Sequence, residues 1–546
     1  MRAFSFLFVL FVSGLAALAI TLAPTPSPLA VSHLSAHRVP VASAAPESDV
    51  ILAKQSPGVK FAPAYFMSFY SYPASIAVGD LNNDGAVDLV VGDHYSNEGY
   101  VLLGNGDGTF EQPATYYLGG SGVLSIAIGD LNGDGIPDLV AASPCPASGS
   151  CTGDEGIISV LLGNGDGTFR AAVSYSAGSY ASDSVAIADV NRDGNPDLVV
   201  ANWCQSYSCS KGSDEGVVSV LLGNGDGTFQ APMNFSSGAI GATTVAIGDV
   251  NGDRKPDLIV GNGCLSDADC NGGIVSVLLG KGNGTFKPAV TYSSGGYDAT
   301  SVALGDLNGD GHLDIVASDV CLNLDKCKYG LGPGGLGVLI GKGDGTFQPV
   351  VSYTTGGLWA TSVAVGDVND DGKLDIVVGN LCGATDRFGD CNLGGTVGVL
   401  PGNGDGTFRD PKKYNSGGSQ STSVAIGDLN GDGRPDLAVA DEDGGIGILL
   451  NQLLIPTKTT LAASPTPAGM NQPVTLTATV GAPIANGETV TFYDGNTVLG
   501  TGSTTNSVAT LMTSFFKPKN YTIKADYPGD AFHRKSSGTV KLVVNP

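Results

Sequence analysis

Asp130, Asn132, Asp134 and Asp138 stand at positions 1, 3, 5 and 9 of the stretch Asp130-Leu131-Asn132-Gly133-Asp134-Gly135-Ile136-Pro137-Asp138-Leu139, with glycine at position 6. Oxygen-bearing side chains at that spacing suit a hard cation such as Ca2+, which takes six to eight oxygens, because alternate residues of a tightly curled loop point inward to supply them. Position 7 lends only its backbone carbonyl, and Gly135 permits the sharp turn. One such stretch is no more than an acidic turn, since Asp, Asn and Gly are what turns prefer. Here it recurs in phase. The first copy is Asp80, Asn82, Asp84 and Asp88; the third is Asp189, Asn191, Asp193 and Asp197; the fourth is Asp249, Asn251, Asp253 and Asp257. The fifth is Asp306, Asn308, Asp310 and Asp314; the sixth is Asp367, Asn369, Asp371 and Asp375; the seventh is Asp428, Asn430, Asp432 and Asp436. Successive spacings are 50, 59, 60, 57, 61 and 61 residues. The set is therefore expected to bind up to seven Ca2+ in a mainly structural role. The fourth loop carries Arg254 where glycine is needed, which forces a left-handed residue and adds a positive charge, so that loop is expected to be weak or empty.

These loops need elements to hold them. Their flanks, such as Ser125-Ile126-Ala127-Ile128 and Leu139-Val140-Ala141, are short, β-branched and bounded by glycine, so each loop is predicted to join a β-hairpin. The third repeat continues with a strand over 216–222, then the hairpin signal Gly223-Asn224-Gly225-Asp226-Gly227, then a strand ending near Phe235. Four antiparallel strands repeated at a fixed period outline a seven-bladed β-propeller. The seventh repeat stops near Leu453 without its fourth strand, while a spare fragment over 60–66 precedes the first; the fragment is predicted to complete the last blade and remove the open edge. All ten cysteines fall into neighbouring pairs after the second strand: Cys145 with Cys151, Cys204 with Cys209, Cys264 with Cys270, Cys321 with Cys327, and Cys382 with Cys391. In an exported chain they read as local disulfides; thiolate metal sites would need Cys-x2-Cys spacing, which is absent. Phe110, Phe169, Phe229, Phe286, Phe347 and Phe408 recur once per full repeat and are read as packing anchors.

Over residues 60–453 the paired signals, the calcium loop and the following Gly-Asp-Gly-Thr-Phe, resemble the FG-GAP/VCBS repeat family, the propeller type at the head of integrin α subunits. Asn283 replaces aspartate in the fourth copy of the second signal and the seventh copy lacks it. The resemblance implies a calcium-stabilised extracellular propeller used for binding, with calcium loops on one face and ligand loops on the other. Beyond Ile455 the chain turns to short alternating strands such as those over 473–478 and 521–525, which make a β-sandwich. Phe492-Tyr493-Asp494-Gly495 and the stretch 525–530 resemble the bacterial Ig-like repeats of surface proteins, which act as spacers.

The expected organisation is thus all-β: a secretory signal and Pro/Ala/Ser-rich leader over 1–45, the propeller over 46–454, and an Ig-like domain over 455–546. Met1-Arg2 followed by an apolar run to Leu22 reads as the signal, implying a secreted or cell-surface bacterial protein with no membrane span once it is cleaved. The net charge of −25 is largely that of the loops, with 21 of the 52 acidic residues at their positions 1, 5 and 9. With no basic stripe, nucleic acid is not an expected partner.

On the face away from the calcium loops, Tyr180, Ile240, Tyr297 and Trp359 read as matching positions, and Trp203 lies in a cysteine loop. Tyr180, Trp203, Tyr297 and Trp359 are the candidate ligand residues, since aromatics around a concavity suit sugar rings or a protein partner; packing between loops is the competing reading. Catalysis is poorly provided for. Of His94, His312 and His533 only His94 is a conceivable acid or base, and Asp183, Asp298 and Glu98 lack visible partners. The chain is expected to be a monomeric binding or adhesion module for a glycan or extracellular protein. Alternatives are a carbohydrate-active lyase or hydrolase on the same scaffold and a structural surface component.

Overall fold

A computed structural model describes residues 60–68, 72–146, 155–205, 215–265, 272–322, 332–384, 394–442, 444–452, 457–481, 484, 486–529, 533 and 535–546. Every regular element among them is a β-strand. Two compact units meet in sequence between Asn451 and Gln452.

In the first unit the strands form seven antiparallel groups of four. The second strand of each group is buried at nearly every residue, as in Asp88–Asp93, Asp138–Ser143 and Asp436–Asp441. Small and β-branched side chains on both faces let these strands lie between neighbouring blades. In two places the fourth strand of one group runs straight into the first strand of the next, giving the 16-residue strands Met233–Gly248 and Val351–Gly366.

First strands contact one another in a closed circle, and the last contacts the first. Threonine hydroxyls clasp the joints. Thr243 Oγ1 lies 2.7 Å from the Ala299 carbonyl, Thr300 Oγ1 3.0 Å from that of Ala360, Thr361 Oγ1 3.0 Å from that of Ser421, and Thr422 Oγ1 2.9 Å from that of Pro73. The last of these joins the final group to the first. The N-terminal fragment closes the same ring by pairing Tyr65–Ser68 antiparallel with residues 445–448. Phe61 bridges Asn451 as Phe110 bridges Gly104. It packs edge-on against Tyr414 at 5.2 Å, as Phe169 does against Tyr116 at 5.5 Å and Phe229 against Tyr175 at 5.6 Å. Phe61 is therefore the packing anchor that the seventh repeat lacks, supplied from the other end of the chain.

The second unit packs the strands Thr459–Ser464, Pro473–Val480 and Val508–Ser514 in one sheet, and five strands including Thr489–Asp494, Asn520–Tyr527 and Ser536–Asn545 in another. Alternate residues point inward, and Val474, Leu476, Phe492, Ile523 and Leu542 form the core between the sheets.

Candidate functional site

Each acidic loop joins the first and second strands of its blade, and its carboxylates act first on the loop's own backbone. Asp80 accepts the amides of Asp84 at 3.2 Å and Gly85 at 2.9 Å, Asn82 Oδ1 accepts Asp84 N at 3.0 Å, and Asp84 accepts Ala86 N at 2.7 Å. The pattern repeats with small changes in every copy, so the curl exists before any cation arrives. Position 6 is left-handed throughout, including Arg254 at φ +62°. Position 4 is too: Asn83, Arg192 and Asp370 share the conformation of Gly133, Gly252, Gly309 and Gly431. Its variable side chains hid that requirement in the sequence.

The other copies place their predicted residues as follows. In the second loop Asp130 accepts Gly135 N at 2.8 Å, and Asn132 Oδ1 accepts Asp134 N at 2.9 Å. In the third, Asp189 accepts Gly194 N at 2.9 Å, Asp193 accepts Asn195 N at 2.8 Å, and Asn191 Nδ2 donates to Asp193 Oδ2 at 2.8 Å. In the fourth, Asp249 accepts Arg254 N at 2.7 Å, while Asn251 accepts Asp253 N at 2.9 Å and donates Nδ2 to Asp257 Oδ2 at 3.1 Å. In the fifth, Asp306 accepts Gly311 N at 2.9 Å, and Asn308 Nδ2 donates to Asp310 Oδ2 at 3.0 Å. In the sixth, Asp367 accepts Gly372 N at 2.7 Å, and Asn369 Nδ2 donates to Asp375 Oδ2 at 2.9 Å. In the seventh, Asp428 accepts Gly433 N at 2.8 Å, Asn430 Nδ2 donates to Asp432 Oδ2 at 3.4 Å, and the Arg434 guanidinium lies 3.9 Å from Asp432.

Position 9 has a larger role than that of a fifth ligand. Asp88, Asp138, Asp197, Asp257, Asp314, Asp375 and Asp436 are wholly buried. Asp88 accepts Leu81 N at 2.8 Å through Oδ2 and Gly104 N at 2.7 Å through Oδ1. Its counterparts do the same, Asp197 to Val190 N at 2.9 Å and Gly223 N at 2.8 Å. In the six full repeats one carboxylate thus ties the acidic loop to the start of the Gly-x-Gly-x-Gly hairpin of the same blade, and in the seventh Asp436 holds Asn451 N at 2.6 Å instead. Burial pushes Asp88, Asp138, Asp197 and Asp314 up to about 6, and Asp257, Asp375 and Asp436 up to about 7, against the lowering effect of those amides. A nearby cation would favour their charged form.

Among the described residues no three His, Cys, Asp or Glu side chains converge as a ready-made metal cluster. Asp193, Asn251, Asn308, Asn430 and Asp432 are instead engaged within their own loops, because a carboxylate or amide beside a curled backbone is satisfied by the nearest donors. The donor set of each loop is mixed: two carboxylates at positions 1 and 5, the Asn amide oxygen at 3, the carbonyl at 7 and the buried carboxylate at 9. Hard oxygens of this kind fit Ca2+. The sixth loop carries the clearest sign of unspent capacity, because Asn369 Oδ1 and Asp371 Oδ2 are buried without a hydrogen-bond partner. The fourth loop differs again. Lys255 Nζ sits 2.9 Å from Asp253 Oδ2, so a lysine as well as Arg254 stands beside the position-5 carboxylate.

Because the strands alternate in direction, the cysteine loops and the fourth-to-first-strand connections open on the opposite face. Tyr180, Ile240 and Tyr297 pair with Cys204, Cys264 and Cys321, and the residue in register with Cys382 is Leu358. Trp359 therefore stands one residue beyond its expected match. Its equivalents are Tyr72, Ala181, Gly241, Asp298 and Gln420, each directly before the residue that pairs with the second strand. The offset is already in the sequence, where Tyr180, Ile240 and Tyr297 stand nine residues before the first aspartate of their loops and Trp359 eight before Asp367. Tyr180, Trp203, Tyr297 and Trp359 all keep partial solvent access.

Tyr72 and Tyr95, missed as candidates, are 48% and 56% exposed and meet edge to face at 4.9 Å. Asp93 fixes them by accepting Tyr72 N at 2.9 Å and Tyr95 N at 2.8 Å. His94 packs edge-on against Tyr95 at 4.4 Å, and burial lowers its pKa. His312 N–H bonds Asp310 within the fifth loop, and His533 is buried in the second unit. Asp183 is buried, and Glu98 accepts the Tyr100 hydroxyl at 3.2 Å. Cys145, Cys204, Cys264, Cys321 and Cys382 are buried, and no described cysteine is a free thiol; Cys151, Cys209, Cys270, Cys327 and Cys391 lie outside the described residues. No described helix is long and apolar enough to cross a membrane. The leader over 1–45 also lies outside the described residues.

Comparison with protein families agrees with this architecture. The FG-GAP-like repeat model matches residues 80–141, 149–200, 207–260, 265–317, 328–378 and 388–439, together more than half of the chain, and an FG-GAP repeat model matches 122–161. A bacterial Ig-like domain (group 3) model matches 461–545. No curated protein matches the chain.

Proposed function

The chain belongs to the FG-GAP-like repeat family, and from that premise we propose that it is an exported, calcium-stabilised binding or adhesion module whose ligand is a glycan or an extracellular protein. Repeats of this kind and bacterial Ig-like domains are typical of extracellular binding proteins. The observation that carries the reading is the division of labour between the faces. One face spends its carboxylates on seven self-bonded loops; the other presents partly exposed aromatics at the ends of rigid strands.

Bound Ca2+ would supply the positive charge that lets the carboxylates of one loop crowd together. The residues to hold it are positions 1, 3, 5 and 9 and the carbonyl of position 7, from Asp80 to Asp436 as named above. The proposal includes seven blades, five local disulfides made by the cysteine pairs, a spacer role for the Ig-like unit, and a monomer. No ion pair among the described residues involves Asp183, Asp298 or Glu98, so the arrangement favours binding over catalysis. A glycan and matrix-protein array with the mature chain in Ca2+, scored for retention and for released product, tests this. Retention without product is expected; product release would replace the binding reading with an enzymatic one.

A further inference from the structure

The chain has two tryptophans, and both stand on the face opposite the acidic loops. Gly241, Asp298 and Trp359 occupy one position in three consecutive blades, each directly before an alanine in register with the second strand. The bonds from Thr243 to the Ala299 carbonyl and from Thr300 to the Ala360 carbonyl set these positions side by side around the ring. All three are left-handed, at φ +68°, +62° and +53°. Glycine takes that conformation freely, whereas a bulky residue such as Trp359 is strained there. Such strain persists where the surrounding structure enforces it, often for binding.

Blade four leaves its position bare, and Trp203 of blade three covers it. A Cβ on Gly241 would meet Cη2, Cζ2 and Cε2 of Trp203 at 3.0 to 3.1 Å, so the six-membered ring lies flat on the Gly241 backbone. Trp203 keeps partial solvent access. A Cβ on Gly263 would meet Trp203 Cη2 at 3.6 Å and Asp298 Oδ1 at 3.0 Å, so the indole edge and the carboxylate adjoin. Asp298 is deeply set among protein atoms, which pushes it up to about 6, yet solvent still reaches its side chain. Among the described residues it has no hydrogen-bond or ion-pair partner.

We propose that Trp203, Asp298 and Trp359 form a saccharide subsite for a neutral pyranose unit, with indole surfaces against the sugar's C–H faces and Asp298 bonding its hydroxyls. This rests on the binding-module reading and names the ligand class. Acidic sugars are disfavoured by the bare carboxylate and the net charge of −25. Near neutrality Asp298, pushed up only to about 6, is mainly a carboxylate and accepts from sugar hydroxyls, while the indole faces match the C–H faces of a neutral ring.

The test is an array of neutral, uronate and amino-sugar oligosaccharides with the full mature chain in Ca2+, followed by calorimetric titration of the tightest neutral oligosaccharide. Asp298→Asn and Trp359→Leu are each expected to weaken binding roughly tenfold or more while leaving the melting transition in place. Should Trp359→Leu unfold the chain, Asp298→Asn still decides, because no described residue hydrogen-bonds or ion-pairs with that carboxylate and the substitution only relieves its repulsion of Asp319. Neutral-glycan binding untouched by Asp298→Asn overturns the subsite and leaves the module reading standing. Preference for uronates or for cationic ligands overturns the ligand class. Retention of proteins alone overturns the subsite, and retention of nothing overturns the module reading as well.

Discussion

Asp197 and its six counterparts show how one side chain serves two elements, because each buried carboxylate holds two backbone amides from different parts of its blade. Asp197→Ala strands the Gly223 amide and leaves Val190 N only the Ala188 carbonyl at 3.1 Å, and a loss of about 1–3 kcal/mol is expected from the one substitution. Asn191→Ala, on the exposed rim of the same loop, is expected to cost far less in chelator and more in Ca2+; paired thermal melts distinguish them. Asp319 carries a pH dependence of known sign. In blades three, four and six its place is taken by Asn202, Asn262 and Asn380, whose amide groups donate to carbonyls or hydroxyls, as Asn262 does to Val260 O at 3.1 Å and Ser276 Oγ at 3.0 Å. Asp319 accepts the Ser294 hydroxyl at Oδ1 and leaves Oδ2 buried without a partner. Burial, with Asp298 nearby, pushes it up to about 7. The native state thus holds a proton that the unfolded chain releases near pH 4, so stability falls as pH rises from about 4 to 7. Asp319→Asn removes that slope, and above pH 7 the variant is expected to be more stable than the parent by on the order of 1–3 kcal/mol. Denaturant melts of the two chains at pH 4, 6 and 8 check it; an unchanged difference across that range would refute the buried-acid reading.

At the scale of elements, the N-terminal strand matters most, because it is the piece that makes an open array a ring. Phe61→Ala removes the aromatic packed on Tyr414 and is expected to destabilise by about 3–5 kcal/mol, against under 1 kcal/mol for Tyr65→Ala on the exposed side. Circular dichroism melts of both variants measure the contrast. This closure was legible in the sequence, since Phe61 repeats the spacing of Phe110 to the strand behind it and the seventh repeat visibly lacks its own copy. The strands were legible for the same reason: in-phase repetition turns weak local propensity into a strong signal. What stayed hidden depends on contacts between distant residues. The clip from Asp88 to Gly104 needs the folded hairpin, whereas the alignment of Trp359 with Asp298 rather than Tyr297 was countable, each standing eight residues before the first aspartate of its loop. Tyr72 stayed hidden because it belongs to the short entry to the first blade, where the repeat pattern has barely begun.

For the whole molecule, the acidic loops form a belt on one face and touch from blade to blade, as where Gly108 N of the first hairpin bonds the Leu429 carbonyl of the last loop at 3.0 Å. Curling a loop and locking it to the next blade are therefore one event, and a cation that fixes the loops stabilises the ring. At millimolar free Ca2+ each occupied extracellular-type site adds roughly 1–2 kcal/mol, so the set is worth on the order of 10 kcal/mol. The fourth loop, with Lys255 on Asp253, is expected to contribute least. The direct measurement is the melting temperature of the mature chain in 1 mM Ca2+ and in excess chelator, with bound calcium counted by equilibrium dialysis against 1 mM Ca2+. The account predicts a transition lowered by many degrees in chelator and restored by Ca2+, with six or seven ions per chain. A melting temperature indifferent to chelation, with no calcium retained, would contradict it and leave the loops as self-bonded turns alone.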